Sequence, residues 1–457
     1  MTRLDRNSLE RDLATEEARL RELEAQYRQA WLRVDELRRQ IGACREPSPN
    51  LLPVVGPRTS ADKIALFRTL FRGRTDVYPT RWRNLRKGTS GYAPACANEW
   101  IPEVCEKPRV KCGECANQAF LAITDRVILD HLQGRIVAGV YPLLEDDTCW
   151  FLAMDFDKGT WEKDVSALVE TCRGMQLPTA VERSRSGNGA HVWFFFREPV
   201  SARTARQFGC HLITQTMARR HELPMASYDR LFPNQDMLPR GGFGNLIALP
   251  FQNEARLKGN TVFVNENWVP HEDQWAFLAR LRRLDASEVE LIVREARRKG
   301  AILGVQLGDS DDEDSDSMPW LRTPSRRRPR AAIAGPLPET ARATLAQAIF
   351  LEKAGLPSPL LNEIKRLAAF QNPEFYKKQA LRFSTALTPR IVSCAEELPL
   401  HVALPRGCYR ELKKLLTDYQ INLITDDLRV EGSLLCVDFH GELGAVQKRA
   451  AKALEAT

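Results

Sequence analysis

Two aspartates at the end of an apolar run are the residues of this 457-residue chain best suited to hold a metal ion. The run from Cys149 to Met154 predicts a buried strand, and Asp155-Phe-Asp157 is its acidic end. Because strand side chains alternate between faces, the two carboxylates should project to the same side, about 7 Å apart. Two like charges there favour a hard divalent cation with oxygen ligands, Mg²⁺ or Mn²⁺. A surface turn is the simpler alternative for such a triplet.

A glycine-rich turn follows about thirty residues later, between two strand-like runs. It consists of Ser186, Gly187, Asn188 and Gly189. This arrangement predicts an antiparallel hairpin. Backbone amides of the turn, with Arg183, Arg185 and His191, could cradle a triphosphate close to the metal. The alternative is a purely structural histidine at the start of a strand.

Two later segments supply further charged residues beside strand-like sequence. Asp229 lies in an alternating stretch with Tyr228 and Leu231, which favours a place on the same acidic face. Arg240 precedes a glycine-rich entry into another apolar strand, and we infer a further phosphate contact from it. Asp236 is a candidate for the acidic face or for a loop cap.

Four cysteines within twenty residues form the strongest purely chemical signal. They are Cys96, Cys105, Cys112 and Cys115, the last two in a Cys-x-x-Cys arrangement. Four thiolates this close together suit a closed, tetrahedral, structural Zn²⁺ site in a loop-rich module. The wider spacing of the first pair makes it the weaker half, and redox chemistry of the Cys-x-x-Cys is the minor alternative.

The composition is that of a folded protein with a mild positive bias. Apolar residues make up 43% of the chain, and 66 Lys and Arg against 59 Asp and Glu give a net charge of +7. This charge permits a nucleic-acid partner without demonstrating one. The eleven cysteines, the charged N-terminus and the lack of a run of about 18 apolar residues predict a cytoplasmic protein that does not span or bind a membrane.

Charge and periodicity divide the chain before and after these motifs. An apolar heptad seam predicts a coiled-coil helix that self-associates or docks a partner, the alternative being a helix packed on its own domain. The seam comprises Leu13, Leu20, Tyr27, Val34 and Ile41. Acidic and then basic blocks between residues 306 and 340 predict a disordered linker. Beyond it we expect helices around 341–370 and 407–418 and a hairpin across 420–439.

Taken in order, the motifs resemble those of the archaeo-eukaryotic primase superfamily. The matching motifs are Asp155-Phe-Asp157, Ser186-Gly-Asn-Gly-Ala-His191 and Tyr228-Asp229. Longer stretches, such as Ser227–Asp236 and Gly241–Pro250, resemble the primase domain of TOTE conflict systems and CRISPR-associated primase-polymerases. The resemblance covers roughly residues 60–300. Gly189 stands where superfamily members often have a serine, which leaves the role of Ser186 open.

The resemblance implies an α+β protein with an RRM-like catalytic core and an accompanying N-terminal α/β module, to which the four cysteines add a zinc knuckle. The divisions are then a coiled-coil helix (1–45), a basic N-terminal segment (46–95), a zinc-binding module (96–120), the primase-polymerase core (121–305), the linker (306–340) and a smaller α/β accessory domain (341–457). Segments of this last domain resemble the region that precedes a superfamily 2 helicase in long TOTE proteins. No G-x-x-x-x-G-K-[ST] phosphate loop is present, so we expect a primase half without its own ATP-driven unwinding.

The implied activity is template-directed nucleotidyl transfer with two metal ions. Asp155, Asp157 and Asp229 would be the metal carboxylates, and His191 would contact the phosphates of the incoming nucleotide. The implied partners are a single-stranded DNA template and primer, deoxy- or ribonucleoside triphosphates and a superfamily 2 helicase, and the implied role is defence against mobile elements. Such chemistry needs one metal at the attacking 3′-hydroxyl and another at the departing pyrophosphate, which paired carboxylates can organise.

Two other classes of function compete with this prediction. One is a catalytically idle, zinc-containing nucleic-acid adaptor that recruits a helicase through residues 341–457. The other is a metal-dependent nuclease or a glycosyltransferase that uses Asp155 and Asp157, which leaves the cysteines and the His191 hairpin unexplained.

Overall fold

The computed structural model describes residues 56–84, 86–157, 159–298, 336–430 and 440–455, together with a few isolated positions. The predicted coiled coil (1–45) and almost all of the predicted linker (306–340) lie outside these residues. Contacts divide the chain into two compact units, one comprising residues 1–63 and 275–280 and the other residues 64–274 and 281–457. In the first unit, the Lys63 ammonium lies over the Trp275 ring at 5.7 Å. None of the described helices is long and apolar enough to cross a bilayer.

The core of the second unit is a five-stranded, entirely antiparallel sheet. In chain order its elements are β4 (Thr148–Asp157), α3 (Trp161–Gly174), β5 (Ala180–Arg183), β6 (Gly189–Ser201), α4 (Ala202–Arg219), β7 (Leu231–Phe232) and β9 (Phe263–Val264). The strands lie in the order β7-β4-β6-β5-β9. The sheet therefore begins as a β-α-β-β-α-β unit whose first and third strands are central neighbours.

The alternation of side chains gives this sheet two different faces. Leu152, Met154 and Phe156 of β4 lie in one apolar cluster with Phe194 of β6 and with the three helices α3, α4 and α7 (Ala286–Arg298). The other face carries Phe151, Ala153, Asp155 and Asp157 of β4. Along the strand, this face is aromatic at its start and acidic at its end. The apolar burial of one face therefore fixes where the carboxylates of the other face project.

Smaller elements precede, interrupt and follow this sheet along the chain. They are α1 (Ser60–Leu70), the hairpin of β1 (Pro79–Asn84) with β2 (Thr89–Pro94), α2 (Asp125–Leu132), the pair β3 (Gly139–Val140) with β8 (Ile247–Ala248), α5 (Asn253–Arg256) and α6 (Gln274–Ala279). Phe71, which follows α1, packs edge-on against Trp193 and Phe195 of β6. This aromatic contact attaches the N-terminal elements to the second face of the central sheet.

The C-terminal residues form another five-stranded sheet. Its elements are β10 (Thr340–Leu345), β11 (Ile349–Glu352), α8 (Ser358–Leu367), β14 (Glu396–Glu397), β15 (His401–Leu404), α10 (Tyr409–Asp418) and β16 (Asn422–Asp427). The strand order is β14-β15-β11-β10-β16. A two-stranded sheet of β12 (Ala369–Gln371) with β13 (Ile391–Ser393) and the helices α9 (Pro373–Ala380) and α11 (Ala445–Glu455) complete the region.

The structure corrects one of our expectations for this region and covers only part of another. The helix expected around 341–370 is a β-hairpin followed by the shorter α8, because Ala341, Ala343 and Leu345 are buried at a period of two. The first half of the hairpin expected at 420–439 is the strand β16, which pairs in parallel with β10. Most of the second half of that predicted hairpin lies outside the described residues.

Candidate active site

The carboxylates of Asp155 and Asp157 converge on one point, which is occupied by a guanidinium nitrogen. Nη1 of Arg230 lies 3.0 Å from Oδ2 of Asp155 and 2.8 Å from Oδ2 of Asp157. Burial opposes the charge of Arg230, but its bonds to Asp157 and Asp155 raise its pKa above the usual value. The sequence prediction that both carboxylates share a face is consistent with this bridge.

The Arg230 bridge also tests whether a metal ion fits. One positively charged atom already contacts an oxygen of each aspartate, so a divalent cation could replace it and be held by the same two oxygens. Asp155 and Asp157 are the residues that would hold it, with Arg230 displaced. Among the described residues, however, no group of three or more His, Cys, Asp or Glu side chains is close enough together to form a metal site.

His191 lies directly across the sheet from Asp155, because β4 and β6 pair in that register. Its Nδ1 lies 3.0 Å from Oε2 of Glu182, and its Nε2 lies 3.8 Å from Oδ1 of Asp155. A carboxylate only accepts hydrogen bonds, so the Nδ1–H donates to Glu182 and Nε2 points towards the acidic pair. Burial lowers the pKa of His191, but the charge and hydrogen bond of Glu182 outweigh it, and the pKa is raised overall.

Glu182 anchors this arrangement from the neighbouring strand. Its side chain is 1% exposed, and the same Oε2 accepts a second hydrogen bond from Nε1–H of Trp193 at 2.9 Å. A buried carboxylate with two donors holds both rings in fixed orientations. Glu182 therefore orients His191 in the way that an outer carboxylate orients a functional histidine.

The glycine-rich turn adopts the predicted hairpin position between β5 and β6. Gly187 has a φ of +81°, which favours glycine, and Ser186 accepts a hydrogen bond from the backbone N–H of Asn188 at 3.2 Å. Ser186 and Asn188 are both exposed. At Gly189 a Cβ atom would lie 2.5 Å from the carbonyl oxygen of Phe156. Glycine is therefore needed at this position for β6 to approach β4.

Arg185, next to this turn, belongs to a group of arginines. Burial lowers the pKa of Arg185 first, and the charges of Arg81 and Arg83 on β1 lower it further. Its guanidinium donates to Oε1 of Gln252 at 3.0 Å, and the carboxylate of Glu254 is 3.9 Å away. Arg83 lies 3.7 Å from the same carboxylate, and these arginines form an electropositive surface beside the turn.

Asp229 has a different set of contacts. It ends the 3-10 helix Met225–Asp229, one residue before Arg230. Its Oδ1 accepts a hydrogen bond of 2.9 Å from the backbone N–H of Arg390, in the C-terminal region. Burial raises the pKa of Asp229, and Arg390 opposes this shift. Asp229 thus directly precedes Arg230, which bridges the acidic pair, while its own carboxylate is tied to Arg390.

Three other charged residues from the sequence analysis lie elsewhere. Asp236 forms a bidentate ion pair with the fully buried Arg206, which is a structural role. Arg183 donates to the carbonyl of Trp268 at 2.6 Å. Arg240 is exposed and lines a different cavity with Gly113 and Arg382, so its role as a phosphate contact stays a prediction.

The four cysteines of the 96–120 segment line one small cavity of about 20 Å³. All four are free thiols. The backbone N–H of Asn117 donates to Sγ of Cys115 at 3.3 Å, as amides often do around a thiolate. The described residues contain no three potential ligands close enough together to hold a metal ion, so zinc stays a prediction.

Sequence reasoning missed Glu182, Arg230 and Arg390. Glu182 was detectable in principle, because a charged residue inside an apolar strand needs a buried partner. Arg230 directly follows Asp229, but no motif or periodicity in the sequence singled it out as a partner of the acidic pair. Arg390 lies 161 residues from Asp229, a distance in sequence that no local motif can bridge.

Comparisons with known proteins identify the class of protein to which this site belongs. The family model of the TOTE conflict system, Archaeo-Eukaryotic Primase domain, matches residues 62–292, about half of the chain. The chain therefore belongs to this family, as its motifs predicted. Membership suggests nucleotidyl transfer, and the name of the TOTE system leaves the biological role open.

Two solved structures are similar to part of the chain. The primase-polymerase domain of cyanophage S-2L is 11% identical, with a TM-score of 0.25, and the match covers 51% of this chain and 97% of that one. The polymerase domain of Mycobacterium tuberculosis Ligase D in complex with DNA is 16% identical, with a TM-score of 0.24, covering 53% and 90%. No curated protein matches the chain.

Proposed function

We propose that this protein is a template-dependent DNA primase-polymerase. It adds nucleotides to a 3′-hydroxyl on a single-stranded DNA template and also starts synthesis without a primer. The observation that carries the proposal is the convergence of Asp155 and Asp157 on one cation position, with His191 oriented beside them. The family to which residues 62–292 belong supports it.

The side chains on this face divide the work of nucleotidyl transfer. Asp155 and Asp157, with Asp229, would hold two Mg²⁺ or Mn²⁺ ions, which supply activation of the 3′-hydroxyl and stabilisation of the departing pyrophosphate. His191, with Nδ1–H fixed on Glu182, presents Nε2 to a phosphate oxygen of the nucleotide. Arg185 offsets triphosphate charge from the side of the turn, where Ser186 and Asn188 add donors.

Arg230 has a separate role when no substrate is bound. Its guanidinium neutralises two carboxylates that would otherwise repel each other. The bridge is only partly buried, with side-chain exposures of 34% for Arg230 and 40% for Asp157, so it can open towards solvent.

The finer architecture of the proposal extends to regions outside the acidic face. The β-α-β-β-α-β order supports an RRM-like core. We also propose structural zinc at Cys96, Cys105, Cys112 and Cys115, self-association through the N-terminal helix, a superfamily 2 helicase partner for residues 341–457, and a cytoplasmic location. We propose a role in defence on the basis of the family name, the TOTE conflict system.

The test is extension of a labelled primer, with unprimed synthesis on single-stranded DNA in parallel, using Mg²⁺ or Mn²⁺. We expect metal-dependent products and pyrophosphate from the wild type. The Asp155→Asn/Asp157→Asn variant should lose at least about 1,000-fold in rate, because positions for both metals are lost. An exposed pair, Glu103→Gln/Glu106→Gln, is the matched control. Absence of product from folded wild-type protein with either metal would favour the idle adaptor instead.

A further inference from the structure

A cavity of about 470 Å³ lies at the other end of the central sheet from the acidic pair. It is lined by five arginines, Arg68, Arg72, Arg74, Arg197 and Arg283, together with Trp150. Trp150 precedes Asp155 by five residues on β4, so the cavity is about 17 Å from the acidic pair along the strand. No carboxylate side chain lines this cavity.

Two of the five arginines have no acidic partner in the described part of the chain. Arg68 pairs with Asp125, Arg74 with Asp76 and Glu145, and Arg197 with Asp285. For Arg72 and Arg283, the residues described here offer no carboxylate within ion-pair distance. Among the described residues, the cavity thus keeps two guanidinium charges without an acidic partner after its own ion pairs are counted.

The backbone holds Arg72 in a defined position. At Gly73 a Cβ would lie 2.3 Å from the carbonyl oxygen of Tyr141, and this carbonyl accepts the N–H of Arg74 at 2.9 Å. The segment therefore lies tightly against Tyr141, with an arginine on either side of the glycine. The guanidinium of Arg72 stacks on the ring of Trp150 at 3.8 Å.

Stacking on Trp150 selects the kind of ligand. It covers a face of the guanidinium and leaves the in-plane N–H donors free, which is the geometry that binds phosphate oxygens. We propose that Arg72 and Arg283 bind a backbone phosphate of the nucleic-acid strand whose reacting end lies at the acidic pair. At about 3.4 Å per nucleotide in a stacked strand, 17 Å corresponds to about five nucleotides. This assignment rests on the proposed function for the identity of the strand.

The test measures binding of a fluorescent 20-nucleotide single strand by anisotropy between 50 and 200 mM salt. Arg72→Gln/Arg283→Gln should weaken binding about tenfold or more. It should also reduce the slope of log affinity against log salt by about 0.7, since the variant loses one single-strand phosphate contact. Arg72→Lys/Arg283→Lys keeps the charge and should recover most of the slope. Arg342→Gln/Arg410→Gln, exposed arginines of the C-terminal region, is the matched control.

The possible outcomes separate this inference from the proposed function. If the wild type fails to bind any single strand at 50 mM salt, the proposed template-dependent function is contradicted. If the wild type binds but the Gln variant, with an unchanged melting temperature, shows the same affinity and slope, the cavity assignment is wrong and the function stands. If 1 mM ATP abolishes the difference between wild type and variant, the cavity is a site for free nucleotides and the strand assignment is overturned.

Discussion

At the scale of single residues, the candidate site combines side chains that the sequence reveals with others that it conceals. Asp155 and Asp157 were predictable because a period of two follows directly from strand geometry. Glu182 was not predicted, because its importance arises from its position opposite His191, and that pairing exists only once β5 and β6 are aligned. Local periodicity thus predicts which face of the sheet a residue occupies. The register between strands that are distant in sequence determines which residues it contacts there.

The anchor formed by Glu182 leads to a first prediction. Glu182→Gln removes the charge that orients His191, and a charge-assisted hydrogen bond is worth about 1.5–3 kcal/mol. We therefore expect nucleotide incorporation to fall at least about tenfold, with a raised KM for the nucleotide. Steady-state primer extension with the nucleotide varied checks this, and the exposed Glu162→Gln serves as control. An unchanged KM and rate would show that His191 needs no anchor.

At the scale of elements, the pairing of β4 with β6 determines the geometry of the acidic end. The register joins Asp155 to His191 and Asp157 to Gly189, the last pair before the turn. The apolar runs allowed both strands to be predicted, and their glycine-rich turn allowed the hairpin. By contrast, β10 and β11 were mistaken for helix, because small residues such as Ala341 and Ala343 give a weak apolar signal at any period.

The close approach at the end of this pair leads to a second prediction. Gly189→Ala places a methyl group 2.5 Å from the Phe156 carbonyl oxygen, so the two strands must separate at the end that carries Asp155 and Asp157. We expect the free energy of unfolding to fall by about 1–3 kcal/mol, as for other overpacked sites. Urea denaturation measures this. Gly407→Ala, where a Cβ would meet no atom within 4 Å, should leave the free energy unchanged.

At the scale of the molecule, the C-terminal region packs on the primase core within one compact unit. Arg382 pairs with Asp147 at 2.7 Å, Gln379 donates to Asp236 at 2.9 Å, and Arg390 holds Asp229. None of these contacts was predicted, because the charge blocks between 306 and 340 suggested two regions joined only by a linker. The predicted domain boundaries are not tested by them.

The contact between Gln379 and Asp236 leads to a third prediction. Gln379 is buried, and it both donates to the Asp236 carboxylate and accepts the Asp236 backbone N–H at 3.1 Å. Gln379→Ala leaves that N–H without a partner, at a cost of about 1–3 kcal/mol. We expect lower stability in urea and faster proteolysis of the C-terminal region. Lys377→Ala, exposed on the same helix, is the control, and equal stability of the two variants would contradict the prediction.

The bond between Arg390 and Asp229 also bears on how such proteins can be recombined. The family match ends at residue 292, whereas the carboxylate of Asp229, which lies within the match, is held by residue 390. A chimera that kept the matched residues and took its C-terminal region from elsewhere would lose the partner of Asp229. The unit that can be exchanged between relatives without loss is therefore longer than the unit defined by their shared sequence.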